Sequence, residues 1–150
     1  MTQIGIDLQG MAQLLAQLRS LGANADDVVS EVISDLVLDT QSIAIQGIQR
    51  SGGGGRTYQK YNPRRTHSAS APGNYPSSDT GRLASSVRAI LPTASSMFGQ
   101  VGTAVKYGAW LEFGTSRMAA RPWLLPSFKV AKIGIEKELK LRIEAMAKGL

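Results

Sequence analysis

From residue 51 to residue 78 the chain loses all apolar periodicity. The stretch opens on SGGGGRTYQKYNPRRTH and runs on through SASAPGNYPSS, so that glycine, serine, proline and asparagine alternate with single aromatics and cations. No core is built from such residues. Whatever core the chain has must therefore come from the blocks on either side, brought together across this stretch. Loops of this length without structure of their own are uncommon in compact domains and are usually functional or disordered. The expectation is a long flexible loop over about residues 51–78. It lies within a single domain spanning the 150 residues, a length that buries a core without metal or disulfide staples.

Upstream, Asp7 caps a short helix whose Leu8, Met11, Leu14, Leu15 and Leu18 share one side, and Gly22 stops it. Asn24 opens a longer helical pattern: Val28, Val29, Val32, Ile33, Leu36, Val37, Thr40, Ile43 and Ala44. Asp26, Asp27 and Glu31 stand in its first turns, where the helix dipole favours negative charge. Many of its apolar residues are β-branched, which weakens intrinsic helicity, so this helix needs packing. It should end near Arg50.

Downstream, Asp79-Thr80-Gly81 leads into a helical turn over residues 83–87. SVRAILPTA then reads as a strand and SMFGQV as its hairpin partner, with a turn near Ala94 and Ser95. KYGAWLEF is a short helix closed by Gly114. After the proline-bounded RPWLLP, residues 127 to about 148 form a last helix with Phe128, Ala131, Ile135, Leu139, Ile143 and Met146 on one stripe and lysines flanking it. The fold class is α+β: two N-terminal helices, a long flexible Gly/Pro/Arg-rich loop, a small antiparallel β-sheet, a short helix and a C-terminal amphipathic helix.

Charge is distributed unevenly along this frame. Residues 1–49 carry one arginine against six acids, residues 50–82 six cations against Asp79, and residues 83–150 ten cations against four acids. An acidic head on a basic remainder suits complementary faces, within one fold or between copies. The chain has no cysteine, which removes disulfides and thiol chemistry and fits a reducing compartment. It has no apolar run long enough for a transmembrane helix and no secretory leader pattern.

The glycine run is not a phosphate loop: a Walker sequence needs GxxxxGK[ST] after a strand, whereas here Arg56 follows four glycines and a helix precedes them. His67 is the only histidine, and without cysteine it has no partners of metal-ligand type. No nucleophile elbow or carboxylate pair with a motif behind it is present, so no enzyme is expected. Glu112, between Trp110, Leu111 and Phe113, is a charge that an apolar helix must compensate. Arg117 and Arg121 are within reach of a bidentate pairing, either as a clamp on residues 114–118 or across a subunit contact.

Two segments resemble a known family. HSASAPGNYPSSDTGRLASSV is similar to a Ser-Ala-Pro-Gly, Pro, then Asp-Thr-Gly-Arg-Leu pattern, and VGTAVKYGAWLEFGTSRMAARPWLLPSF to a second signature of the same family. These are the head–tail joining, or tail-completion, neck proteins of long-tailed, siphovirus-like double-stranded DNA bacteriophages and prophages. The resemblance runs over residues 67–128. Gly108 stands where the family usually has alanine, and Asn74-Tyr75 where it often has Glu-Pro. The resemblance implies a virion structural protein without catalysis or cofactor, made in the host bacterial cytoplasm, with no membrane partner. It implies self-assembly into a ring, hexameric by the family's role, between the connector or head-closure protein and the tail terminator or tail tube. Head-to-tail closure of a ring requires two different surfaces on each copy. The signature side chains Asp79, Arg82, Trp110, Glu112, Phe113, Arg117, Arg121 and Trp123 are the expected contacts between copies or with neck partners.

In that setting Arg56, Tyr58, Lys60, Tyr61, Arg64 and Arg65 make a flexible basic arm. Its expected role is assembly, with non-specific contact to DNA in the lumen and an inert tether as the other readings. Trp123, between Pro122 and Pro126, is either core or an interface anchor. A different class, a free-standing basic nucleic-acid-binding domain, follows from the pI near 9.9.

Overall fold

The computed structural model describes residues 25–148, together with the isolated position 16. The first expected helix, led by Asp7, lies outside the described residues. The longer one is α1, Ala25–Arg50. Val29, Val32, Leu36, Thr40, Ala44 and Ile48 recur along it at three- and four-residue steps and are all buried. Against them lies the last helix, α4, Leu124–Lys148. One core cluster joins Val32 and Leu36 of α1 to Ala131, Ile135 and Leu139 of α4. The other joins Ala44 and Ile48 to Trp123 and Leu124. The start of one helix thus meets the end of the other, so the pair is antiparallel. Each fully buried Val, Leu or Ile contributes about 1.5–3 kcal/mol. That outweighs the few tenths lost per β-branched residue in helix propensity, which is why a valine-rich segment is helical here.

The fold is α+β. Between the long helices come β1 (Gly54–Tyr61) and β2 (Arg64–Ser70), then α2 (Arg82–Ser86), β3 (Val87–Ile90), β4 (Gln100–Thr103) and α3 (Lys106–Phe113). β3 and β4 pair antiparallel, Val87 opposite Thr103 and Ile90 opposite Gln100. Their connection folds back at Thr93 and Ser96, which exchange backbone hydrogen bonds of 2.9 and 3.0 Å, around the turn expected at Ala94 and Ser95. The paired part is shorter than SVRAILPTA and SMFGQV suggested. Pro92 has no N–H to continue the ladder, and the partner strand is QVGT. Gln41 of α1 donates Nε2 to the Val87 carbonyl at 3.0 Å and so ties this sheet to the helix.

The segment expected to be an irregular loop contains regular structure. β1 and β2 form an antiparallel hairpin with Tyr58 opposite His67, Lys60 opposite Arg65 and Tyr61 opposite Arg64. The two-residue turn holds a cis Asn62–Pro63 peptide. Its end is stitched to the body, where Arg121 Nε donates to the Ser70 carbonyl at 3.0 Å and the Gly73 N–H donates to Ala120 at 2.9 Å. The glycine run acts as a close-approach device. Gly54 has φ 119°, and a Cβ on Gly55 would stand 2.5 Å from the Ser70 carbonyl oxygen and 2.9 Å from that of Ala69. The register shifts between Gly54 and Thr57, as in a β-bulge.

Gly55→Ala should therefore detach the bulged end of the hairpin, raising amide exchange across 55–61 and 64–70 by roughly tenfold or more. Gly52→Ala, which meets nothing within 4 Å, should leave exchange unchanged; hydrogen–deuterium exchange of the two variants checks this.

Candidate functional site

The second signature is organised by Glu112. It sits on α3 next to Phe113, yet is 7% exposed, because its carboxylate points into the start of α4. Oε2 accepts the backbone N–H groups of Trp123 and Leu124 at 2.7 and 2.8 Å, and Oε1 accepts that of Leu125 at 2.9 Å. A helix start leaves its first amides without intrahelical partners. Here Glu112 takes three of them, and the next residue, Pro126, has no N–H to satisfy. The helix dipole adds to the attraction for a carboxylate at this end. α4 begins at Leu124, three residues before the expected start, because its cap comes from eleven residues upstream.

This corrects the expected pairing of Glu112 with Arg117 or Arg121. Arg121 instead donates Nε to Ser70 and Nη1 to the Ala119 carbonyl, the latter at 3.2 Å. Arg117 is exposed, its own N–H on Thr115 Oγ1 at 3.2 Å. The loop between α3 and α4 closes through Thr115 and Met118, which exchange backbone bonds, and through the Arg121 N–H to the Leu111 carbonyl at 2.6 Å. Gly114, at φ 75°, makes the turn; a Cβ there would lie 2.9 Å from both the Ala120 nitrogen and the Met118 oxygen.

Trp123 is core. It is 2% exposed and donates Nε1 to the Gly108 carbonyl at 2.9 Å, so it is not available as a surface anchor. Gly108 is as close-fitting as its partner. A Cβ at this position would stand 2.5 Å from Thr103 Cγ2. Ser127 continues the network, donating Oγ to the Trp123 carbonyl and meeting the Tyr75 hydroxyl at 2.9 Å.

The first signature is organised by Asp79. Along a strand, side chains alternate between faces, so Lys60 of β1 and Arg65 and His67 of β2 fall on the same face of the hairpin. All three turn to Asp79. Lys60 Nζ bonds to Oδ2, Arg65 Nη2 lies 3.1 Å from Oδ1 and His67 Nδ1 3.7 Å from it. The hydrogen bond from Lys60 holds the Asp79 carboxyl below its ordinary range; partial burial opposes this, and the charge of Arg65 adds to it. Arg56 leans over the Tyr58 ring at 5.3 Å. The opposite face carries Thr57, Gln59, Tyr61, Arg64, Thr66 and Ser68, with Thr57 and Ser68 joined at 3.0 Å. The expected basic arm is thus a structured hairpin in which one acid offsets part of the charge of Lys60 and Arg65. Among the described residues, no hydroxyl bonds to His67 and no three His, Asp or Glu side chains gather as metal ligands.

Two expected contact residues remain on the surface as aromatics. Trp110 is 55% and Phe113 64% exposed, three residues apart on one face of α3. Arg82 is also exposed. The Thr80-Gly81 turn between Asp79 and Arg82 stands between two open depressions of about 310 and 460 Å³. One is lined by Ile48, Tyr107 and Leu111, the other by Gln41, Ile45 and Arg88. No helix among the described residues is long and apolar enough to cross a membrane.

Two outcomes follow for the organising acids. Glu112→Ala strands two buried donors and one part-buried donor at one helix end and should cost about 3 kcal/mol in denaturant unfolding, with Glu112→Gln losing less. Asp79 titrates lower in the fold than when unfolded, so its contribution is complete above the ordinary value of 3.8 and fades as pH falls from there through the depressed value. Hairpin amide exchange should rise across that window in the parent and should already be fast at neutral pH in Asp79→Asn.

Comparisons with family models, curated proteins and solved structures returned no match.

Proposed function

We propose that this chain is a non-enzymatic structural subunit of a phage neck, whose copies close into a ring that completes the tail and joins it to the head connector. The observation that carries this reading is the exposed pair Trp110 and Phe113 on α3. The same short helix is locked on its other side by Glu112 and Gly108. Large aromatics held rigidly in solvent are a contact surface awaiting a partner. The polar side chains of the two signatures support the same reading, since they brace backbone segments and leave no nucleophile beside a base.

The resemblance in residues 67–128 supplies the identity of that partner set: further copies, the connector or head-closure protein on one side, and the tail terminator or tail tube on the other. Within this reading the β1–β2 hairpin is an assembly element. Non-specific touch to DNA passing through the lumen falls to Arg56 and Arg64, which Asp79 does not compensate. A free-standing nucleic-acid-binding domain is the weaker alternative, because Lys60 and Arg65 are engaged by Asp79.

The double variant Trp110→Ala/Phe113→Ala tests the proposal. It should keep the far-UV circular dichroism and melting behaviour of the parent while self-association weakens about tenfold or more. It should also fail to restore tail joining to particles made without the chain. Unchanged assembly and joining would sink the proposal, and steeply salt-dependent DNA binding by a non-assembling parent would replace it with the nucleic-acid reading.

A further inference from the structure

The outer face of α1 carries a row of acids, and that of α4 a row of lysines with Glu136, Glu138 and Glu144 among its exposed residues. Along α1, Asp27, Glu31, Asp35 and Asp39 follow one another at four-residue steps on the side away from Val32 and Leu36, with Leu38 exposed among them. Along α4, on the side away from Ala131 and Ile135, the four-residue row is Lys129, Ile133, Lys137 and Leu141, flanked by Val130 and Lys140. Ile133 is 68% and Val130 55% exposed, so the lysines frame an apolar strip. Glu136 is drawn aside to Lys132 at 3.5 Å, and Glu144 lies a turn further on.

At 1.5 Å per residue the acidic row runs about 18 Å and the span from Lys129 to Lys140 about 16 Å, so the two match in length. They do not meet within one chain, because the helices pack through their opposite, apolar sides. Two surfaces of one molecule that complement each other yet face apart join different copies head to tail.

We infer that α4 of one copy seats its lysine-framed strip on the acidic row of α1 in the next copy. This rests on the ring reading above and assigns it a second contact, independent of Trp110 and Phe113. The apolar centre, Ile133 and Val130 against Leu38, excludes water, and the flanking charges set register and partner choice. Glu31, Asp35 and Glu138 also interact within their own chain, so the contact is built on Asp27, Asp39, Lys129 and Lys137.

The test reverses each row separately, as Asp27→Lys/Asp39→Lys and as Lys129→Glu/Lys137→Glu, and follows association by sedimentation velocity over a concentration series. All four positions are exposed, and circular dichroism with melting verifies the fold of each variant. Each reversal alone should weaken association about tenfold or more. An equimolar mixture of the two should recover it, because every alternating junction then pairs opposite charges. A single chain with all four substitutions should recover it too, which keeps the test decisive should one variant fold poorly.

Parental association by either single variant, or no recovery on mixing, overturns the contact while leaving the ring reading intact. A parent that never associates overturns both. Loss of DNA binding in Lys129→Glu/Lys137→Glu with association unchanged assigns the basic strip to nucleic acid and also overturns the contact.

Discussion

A helix of twenty-five residues that begins inside the protein has an unavoidable difficulty: its first amides point into the interior with nothing to bond. Glu112 resolves this for α4, accepting from Trp123, Leu124 and Leu125. A buried carboxylate is costly alone, and a buried helix start is costly alone; facing one another, each removes the cost of the other. The rest of the structure hangs on this junction. It brings α3 against the first turn of α4, which seats Trp123 under Gly108 and against Ala44 and Ile48 of α1. It also sets the path of the loop through Gly114, whose Arg121 reaches across to the end of β2. The end of the hairpin, α3 and the start of α4 meet at this point.

Asp79 repeats the device at the surface in a weaker form. One acid draws together three side chains that alternation has placed on one face of the hairpin, and so fixes an element with almost no apolar area of its own. An isolated two-stranded hairpin is marginal in water; this one is anchored by ions near its turn and, at its other end, by Arg121 Nε on the Ser70 carbonyl and the Gly73 N–H on Ala120. The difference in burial separates the roles. Glu112 is shielded and acts on the whole fold, whereas the Asp79 cluster is part-exposed and screened by salt, so its effect is confined to the hairpin.

Legibility in the sequence followed the physical origin of each element. α1 and the body of α4 obtain their stability from apolar rows, and those rows are visible as spacing. β1 and β2 have no such row: Thr57, Gln59, Thr66 and Ser68 on one face and cations on the other read as solvated loop, and the stabilising acid stands in a different segment. The signal that was present is local. A Tyr-Asn-Pro-Arg turn lies between two runs of Thr, Tyr and charged residues, with glycines at one end. Glu112 was legible as a charge needing compensation, but arginines were the apparent partners. Backbone amides carry no letter in a sequence, and the clue to them was Pro126, a residue suited to the first turn of a helix. Trp110 and Trp123 look alike as aromatics near arginines; only the junction decides that one is core and the other is surface.

That junction bears on the proposed assembly through angle. In a closed ring, a small rotation of one contact surface relative to another is repeated at every subunit and accumulates, so the elements displaying those surfaces must be set rigidly against each other. Packed apolar side chains alone tolerate small slips of one helix along another. A carboxylate with three directed hydrogen bonds does not, because each bond fixes distance and direction at once. Placing a buried charge between α3, which displays Trp110 and Phe113, and α4, which displays Lys129, Ile133 and Lys137, fixes the angle between those two surfaces by directed hydrogen bonds as well as by packing. A hydrophobic residue at position 112 could fill the same space, but it would leave the amides unbonded and that angle free.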